Sequence, residues 1–109
     1  MTDKSCVLSG YLYKQGDRGP VKGWKKRYFN ISKETPTLIR YQRKPNDQDI
    51  LGNINLELVT GVKLNERGFS GGQHSFQIET PGRIYFLAAP DQTSVNYWMN
   101  GIKDVIDFF

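Results

Sequence analysis

The chain has 109 residues, of which 38% are hydrophobic and 13% aromatic. This favours one folded domain with a single core over a disordered segment or two domains. No run approaches the roughly 18 apolar residues of a membrane span, so any membrane contact is expected to be peripheral. The only cysteine, Cys6, excludes an internal disulfide, and the polar residues 1–6 lack the apolar segment of a secretory signal, so a cytoplasmic location is expected.

Charge is distributed unevenly along the chain. Residues 1–44 carry 11 Lys and Arg against three acids, whereas residues 45–109 carry four against eight, within a net charge of +4. Such polarity predicts an anionic partner for the first part of the chain. A basic surface that serves only solubility is the alternative.

Alternation of apolar and polar residues predicts seven short strands, at residues 7–15, 24–32, 37–43, 50–56, 61–64, 74–80 and 83–89. Loops are predicted between them where glycine, proline, asparagine and aspartate concentrate, at residues 16–23, 44–49 and 65–73. Pro81 and Gly82 predict the tight turn of a hairpin between the last two strands.

From Asp91 onward the apolar period changes to that of a helix. One stripe of large side chains recurs at three- and four-residue spacings, made of Val95, Trp98, Met99, Ile102, Val105, Ile106 and Phe109. Asp91 is the predicted N-cap, because a carboxylate accepts hydrogen bonds from the first N–H groups of a helix.

Seven antiparallel strands followed by one amphipathic helix predict a small barrel or orthogonal sandwich. The helix can close one end of the barrel, which leaves the other end open. Residues 1–109 are therefore expected to form a single domain, with a core from about residue 7 to the C-terminus. Such a domain can stand alone or be a module of a larger protein.

The second predicted strand carries three consecutive cations, Lys25, Lys26 and Arg27. Because side chains alternate along a strand, Lys25 and Arg27 share a face with Phe29, while Lys26 lies on the opposite face. The first of these faces changes from cationic to apolar along its length. This is the pattern expected of a strand that starts at the charged open end of a barrel and continues into its core.

Several segments, taken in order, resemble a pleckstrin homology (PH) domain across nearly the whole chain. They are residues 10–14 (GYLYK), 24–29 (WKKRYF), 51–56 (LGNINL) and 86–90 (FLAAP), with Trp98-Met99 and Ile102-Lys103 in the helix. The resemblance implies a mainly β fold, a seven-stranded antiparallel PH-type barrel of two orthogonal sheets capped by one C-terminal α-helix.

Phosphoinositide-binding members of that family have a lysine in the first strand, a variable loop, and a Lys/Arg-x-Arg pattern in the second strand. The resemblance implies that Lys14, Lys25 and Arg27 hold the inositol phosphates. It also implies a peripheral membrane protein that recruits its host to the cytosolic face of membranes in signalling.

The predicted strand faces support this assignment independently. Lys14 shares a face with Leu12, and Arg40 shares a face with Leu38 in the third strand. Four cations are therefore predicted to converge at the open end of the barrel, namely Lys14, Lys25, Arg27 and Arg40. The arginine fork can donate two hydrogen bonds to one phosphate, and lysine adds a point charge.

Other residues near the open end are predicted to extend this site. Arg18 and Lys22 of the first loop supplement the phosphate-binding cations, and Val21 at the loop tip contacts lipid. Lys26, on the outer strand face, is attracted to the anionic membrane surface without selecting a head group.

Two positions depart from the members that bind 3-phosphoinositides most strongly. Those members have a tyrosine in the third strand, where this chain is interpreted as having Arg40. They also have a basic residue just before the glycine of the fourth strand, where this chain has Leu51. The first difference adds charge and the second removes a contact, so the preferred head group stays open.

Two binding functions of other kinds are alternatives. A protein-interaction module on a PH-like fold would need an apolar groove beside a strand edge, to which the outward-facing Tyr11, Tyr13 and Tyr28 could contribute. A barrel for single-stranded nucleic acid would also interleave basic and aromatic residues. The basic residues concentrate at one predicted open end rather than along a groove, so no nucleic acid is expected.

Catalysis is not expected from this sequence. It has no Walker A motif, no G-x-G-x-x-G, no cluster with metal-ligand spacing, and no second histidine to act with His74. No cofactor and no metal are predicted.

Overall fold

The structure is a computed structural model that describes residues 6–15, 23–65 and 74–108. Within these ranges it has seven strands followed by one helix, namely β1 (Cys6–Gln15), β2 (Trp24–Ser32), β3 (Leu38–Gln42), β4 (Gly52–Asn55), β5 (Gly61–Leu64), β6 (His74–Thr80), β7 (Arg83–Ala89) and α1 (Gln92–Phe108). The predicted fold of seven antiparallel strands and a C-terminal helix is confirmed.

The fourth strand is shorter than the predicted segment at residues 50–56. The Asn55 side chain accepts a hydrogen bond of 2.9 Å from the Glu57 N–H, and the chain continues as a 3₁₀ turn, Leu56–Leu58. Leu56 still packs into the core. The predicted strand therefore extends too far at its C-terminal end, because the local side-chain hydrogen bond ends β4 at Asn55.

The strands pair in the order β4-β3-β2-β1-β7-β6-β5, all antiparallel. β1 pairs with β2 along its length and with β7 near its C-terminal end, where Tyr13 lies opposite Ala88 and Lys14 opposite Leu87. The two predicted sheets are therefore joined through β1. Its C-terminal end is hydrogen-bonded on both sides, which fixes the backbone at Lys14.

The inward-facing strand residues form one core that α1 covers. Leu8 and Leu12 of β1 and Phe29 and Ile31 of β2 are buried, as their alternation predicts. From the helix, the core takes Val95, Trp98, Met99, Ile102 and Val105, with Ile106 partly buried against it. The predicted apolar stripe is confirmed for these six residues, and Phe109 lies outside the described ranges.

One glycine allows close packing between α1 and β1. A Cβ on Gly101 would lie 2.6 Å from Leu8 Cδ2, whereas a Cβ on Gly10 would make an ordinary contact of 3.6 Å with the Trp98 ring. The first distance is shorter than a carbon–carbon contact allows, so the helix backbone rests directly on the Leu8 side chain. This contact fixes the covered end of the barrel.

Asp91 caps α1, as the sequence predicts. Its carboxylate accepts a hydrogen bond of 2.7 Å from the Ser94 N–H. Hydrogen bonds from the backbone and side chain of Ser94, together with the charge of His74, hold the pKa of the Asp91 carboxyl below its ordinary value of 3.8. The ionised carboxylate is the better acceptor at a helix N-terminus.

Candidate functional site

A cavity of about 260 Å³ lies at the end of the barrel where β1 ends and β2 begins. The described residues that line it, here called the basic pocket, are Lys14, Lys25, Arg27, Tyr41 and Leu51. None of these lining residues is acidic. A concave site whose described wall carries three cations and no acidic residue favours an anionic ligand.

The register of β1 and β2 sets two of these cations face to face. Lys14 is paired with Lys25, and Leu12 with Arg27. Directly opposed side chains on an antiparallel sheet have their Cβ atoms about 5 Å apart, and like charges in such positions are destabilising. The pair therefore concentrates positive charge at the basic pocket, which would attract an anion.

The Arg27 side chain is held by a bond to its neighbour. Its Nη1 donates to the Lys26 carbonyl oxygen at 2.8 Å. A guanidinium has five N–H donors in a planar fork, so this bond orients the group and leaves most of its donors for a ligand. Planar, two-point donation to phosphate is the interaction that arginine makes best.

Tyr41 forms the wall of the basic pocket that faces the cations. Its ring centroid lies 5.2 Å from that of Phe29, and the Lys14 ammonium lies 5.3 Å from the Tyr41 centroid. The second distance is within the range of a cation–π interaction. Tyr41 therefore connects the buried core to one of the pocket cations.

The predicted inner face of the third strand is wrong. Ile39 is buried and Tyr41 lines the basic pocket, so Leu38 and Arg40 lie on the other face of β3. Arg40 is not among the lining residues. Because the side-chain period of a strand is two, an error of one residue moves every side chain to the opposite face.

Sequence reasoning missed Tyr41, although a signal for it was present. Ile39 and Tyr41 share one face of the strand, and Leu38 and Arg40 share the other, so either pair could face the core. An aromatic residue suits a half-buried position at least as well as a cation. The third strand contributes Tyr41 to the described lining of the basic pocket, so the interpretation that Arg40 stands in place of a tyrosine there is wrong.

Of the remaining predicted residues, the structure describes Lys26. Lys26 is exposed on the outer face of β2, as predicted, with its Nζ 4.6 Å from the Tyr11 ring centroid. Arg18, Val21 and Lys22 lie outside the residues that the structure describes.

Gly52 makes room for Tyr41, and its substitution provides a test of the pocket wall. The two residues are paired across β3 and β4, and a Cβ at Gly52 would overlap the Tyr41 hydroxyl and ring. We expect Gly52→Ala to displace Tyr41 and to lower the free energy of unfolding by about 1–3 kcal/mol, the usual cost of overpacking. Urea unfolding measures this change.

Gly82→Ala is the matched control, because nothing lies within 4 Å of a Cβ at Gly82. This variant should unfold like the parent chain. Equal unfolding midpoints for Gly52→Ala and Gly82→Ala would contradict the packing of Tyr41 over β4.

Within residues 6–15, 23–65 and 74–108, no helix has the length and apolar character needed to cross a membrane. The same residues contain no group of three or more His, Cys, Asp or Glu placed to hold a metal ion.

A basic pocket at the open end of a seven-stranded antiparallel barrel, with a C-terminal helix over the other end, matches the architecture implied by the sequence. The family model described as "PH domain" matches residues 6–107. The chain belongs to the PH domain family.

Its relatives by sequence are much longer proteins. A putative leucine-rich repeat-containing protein of Dictyostelium discoideum is 36% identical over 117 residues, which cover 95% of this chain and 7% of that protein. Human TBC1 domain family member 2A is 34% identical over 98 residues, covering 88% of this chain and 10% of that protein. The chain spans only about a tenth of the length of the curated relatives that it matches.

Solved PH domains have the same fold. The PH domain of human TBC1 domain family member 2 superposes with a TM-score of 0.78 at 27% identity, covering 97% of this chain and 83% of that one. The C-terminal PH domain of pleckstrin, in complex with D-myo-Ins(1,2,3,5,6)P5, superposes with a TM-score of 0.77 at 28% identity. The match covers 93% of this chain and 95% of the pleckstrin chain.

Proposed function

We propose that the basic pocket binds the phosphorylated inositol head group of a phosphoinositide and thereby docks the host protein on the cytosolic face of a membrane. One observation carries this proposal: Lys14, Lys25 and Arg27 line one small cavity that has no acidic residue in its described wall. The domain acts as a binding module and not as an enzyme.

The chemistry of these three side chains suits a vicinal pair of phosphates. Lys14 and Lys25 oppose each other across the hairpin, so one phosphate can contact both ammonium groups. The Arg27 fork can donate twice to a second phosphate. Tyr41 adds a hydroxyl, which both donates and accepts hydrogen bonds.

A solved neighbour supports the ligand class. The pleckstrin PH domain was determined in complex with an inositol pentakisphosphate, and that ligand is a property of pleckstrin. The shared fold, together with the basic pocket of this chain, supports an inositol phosphate as its ligand.

Residues outside the pocket contribute less specific attraction. Each basic side chain near an anionic leaflet adds about 1 kcal/mol, and salt weakens this term. Lys26 is exposed on the outer face of β2 and fits this role, and so does Arg40. Arg18 and Lys22 of the first loop are proposed to supplement the phosphate-binding cations. Val21 is proposed to touch the lipid surface.

Vesicle sedimentation at physiological salt tests the proposal. One set of vesicles carries a phosphoinositide, and the other carries phosphatidylserine at the same total negative charge. The domain should sediment with the first set and stay largely in the supernatant with the second. Equal sedimentation would reduce the function to non-specific charge attraction, and no sedimentation with any phosphoinositide would favour a protein-interaction module.

A further inference from the structure

A larger cavity lies at the covered end of the barrel, where β1 begins and α1 ends. Its volume is about 590 Å³. The described residues that line it, here called the apolar groove, include Val7 and Leu8 of β1 and Gly101, Val105 and Phe108 of α1. From Val7 to Lys14 of the basic pocket, β1 runs about 20 Å, so the groove is separate from the head-group site.

The sequence of α1 explains the helix side of the groove. Gly101, Val105 and Phe108 fall at i, i+4 and i+7, which places them on one face of the helix. Gly101 brings the helix backbone close to Leu8 and adds no side chain to the groove. Val105 is 9% exposed, whereas Phe108 is 91% exposed. The last turn of α1 therefore carries an aromatic ring, almost wholly open to solvent, beside an apolar groove.

Two opposite charges also line the apolar groove. Lys33 follows the end of β2, Asp104 lies on α1, and both residues are exposed. Neither forms an ion pair with another residue in the part of the chain that the structure describes. One surface therefore offers a cation, an anion, an apolar groove and an exposed aromatic ring.

We propose that a second copy of this chain covers the apolar groove, in a two-fold symmetric dimer in which each copy inserts its Phe108 ring into the groove of the other. A two-fold axis brings the same patch of both copies together, so every contact occurs twice. This patch contains both halves of each contact. The ring of one copy meets the groove of the other, and Lys33 of each copy meets Asp104 of the other.

The size of the patch sets the strength of the dimer. Eight described residues line the groove, whereas a standard interface has about 20–30 residues on each side. The dimer therefore belongs to the weak class of interfaces, and we expect a dissociation constant on the order of 0.1 mM. Because the groove and the basic pocket lie at opposite ends of β1, both pockets stay open in the dimer. The proposal goes beyond the proposed function and does not depend on it.

Sedimentation equilibrium without lipid, at chain concentrations from about 10 µM to 1 mM, tests the proposal. The average mass should rise from the 12.5 kDa of the monomer towards twice that value. Phe108→Ala should raise the dissociation constant about tenfold or more, because it removes an aromatic anchor from both copies at once. Leu58→Ala is the matched control, since Leu58 is also exposed and apolar but does not line the groove, and it should dimerise like the parent chain.

Reversal of the two charges tests the two-fold arrangement itself. Lys33→Glu alone opposes two acids at both contacts, and Asp104→Lys alone opposes two lysines. Each variant should dimerise about tenfold more weakly than the parent chain or worse. In an equimolar mixture, one copy of each variant restores two opposite-charge pairs, so the mixture should dimerise about as well as the parent chain. Both positions are exposed, so each variant should unfold at nearly the parental urea concentration.

The outcomes separate the second copy from other occupants and from other faces. A parent chain that stays monomeric at 1 mM overturns the proposal and leaves the groove to a different protein. Dimerisation that neither Phe108→Ala nor the charge reversals weaken assigns the interface to another face and overturns it too. A mixture of the two charge variants that stays monomeric rules out the two-fold pairing of Lys33 with Asp104. None of these results changes the vesicle test of head-group binding, so the two proposals fail separately.

Discussion

Replacement of Lys25 and Arg27 together by alanine is expected to reduce affinity for phosphoinositide vesicles by about 100-fold or more. Both side chains line the basic pocket. Hydrogen bonds to charged groups contribute about 1.5–3 kcal/mol each. Two losses of this size correspond to at least a 100-fold change, because 1.4 kcal/mol is a factor of ten.

The fold should survive this double substitution. Lys25 is exposed and Arg27 is half-buried, so the free energy of unfolding should change by no more than about 0.5 kcal/mol, as is usual for substitutions outside the core. A binding loss with an unchanged urea midpoint would therefore locate the effect in the pocket. Vesicle sedimentation and urea unfolding on the same preparation measure both quantities.

Lys103→Ala is the matched control, because Lys103 is an exposed lysine on α1 and does not line the basic pocket. It should lower vesicle binding by less than about threefold, as expected for one exposed charge. Equal losses for Lys103→Ala and the double variant would mean that total charge, and not the pocket, governs binding.

The largest expected effect on stability is that of Trp98→Ala. Trp98 is 3% exposed, and its ring packs edge-on against Phe29 with a centroid distance of 6.4 Å. Removing a buried aromatic side chain typically costs about 3–5 kcal/mol. The total free energy of unfolding of a native domain is only about 5–15 kcal/mol. The variant should therefore be marginally stable at room temperature.

The same substitution should also disturb the basic pocket. Trp98 supports Phe29, and Phe29 lies beside Tyr41 at 5.2 Å, so three aromatic rings connect α1 to the pocket wall. Asn100→Ala is the control, because Asn100 is exposed on the same helix. Urea unfolding should show the parental midpoint for Asn100→Ala and a large decrease for Trp98→Ala; a decrease below 1 kcal/mol would contradict the packing described here.

The architecture was predictable because apolar residues recur with two different spacings along the chain. Alternation defined the strands, and the three- and four-residue spacing after Asp91 defined the helix. β2, with Lys25 and Arg27 on the face of Phe29, was the most informative segment, since only an open barrel end accommodates cations in line with buried residues. The register of β1 and β2 placed Lys14 opposite Lys25, a pairing that alternation alone does not determine.

The inward face of β3 could not be predicted from the sequence. Leu38 and Ile39 are both aliphatic, so neither face of this short strand is marked by composition alone. In the structure, Ile39 and Tyr41 face the core. The packing of β3 against the rest of the core determines this orientation, and the sequence pattern of the strand alone does not reveal it. The placement of Leu51 in the pocket wall depends on the same pairing.

Backbone assignment of the domain by NMR, followed by titration with a soluble inositol phosphate, tests the central claim most directly. Saturable amide shifts should concentrate at the C-terminal end of β1, the first half of β2 and the junction around Tyr41 and Leu51. The outer face around Tyr11 should change little. Shifts confined to that outer face, or none at saturating ligand, would contradict the assignment of the basic pocket as a head-group site.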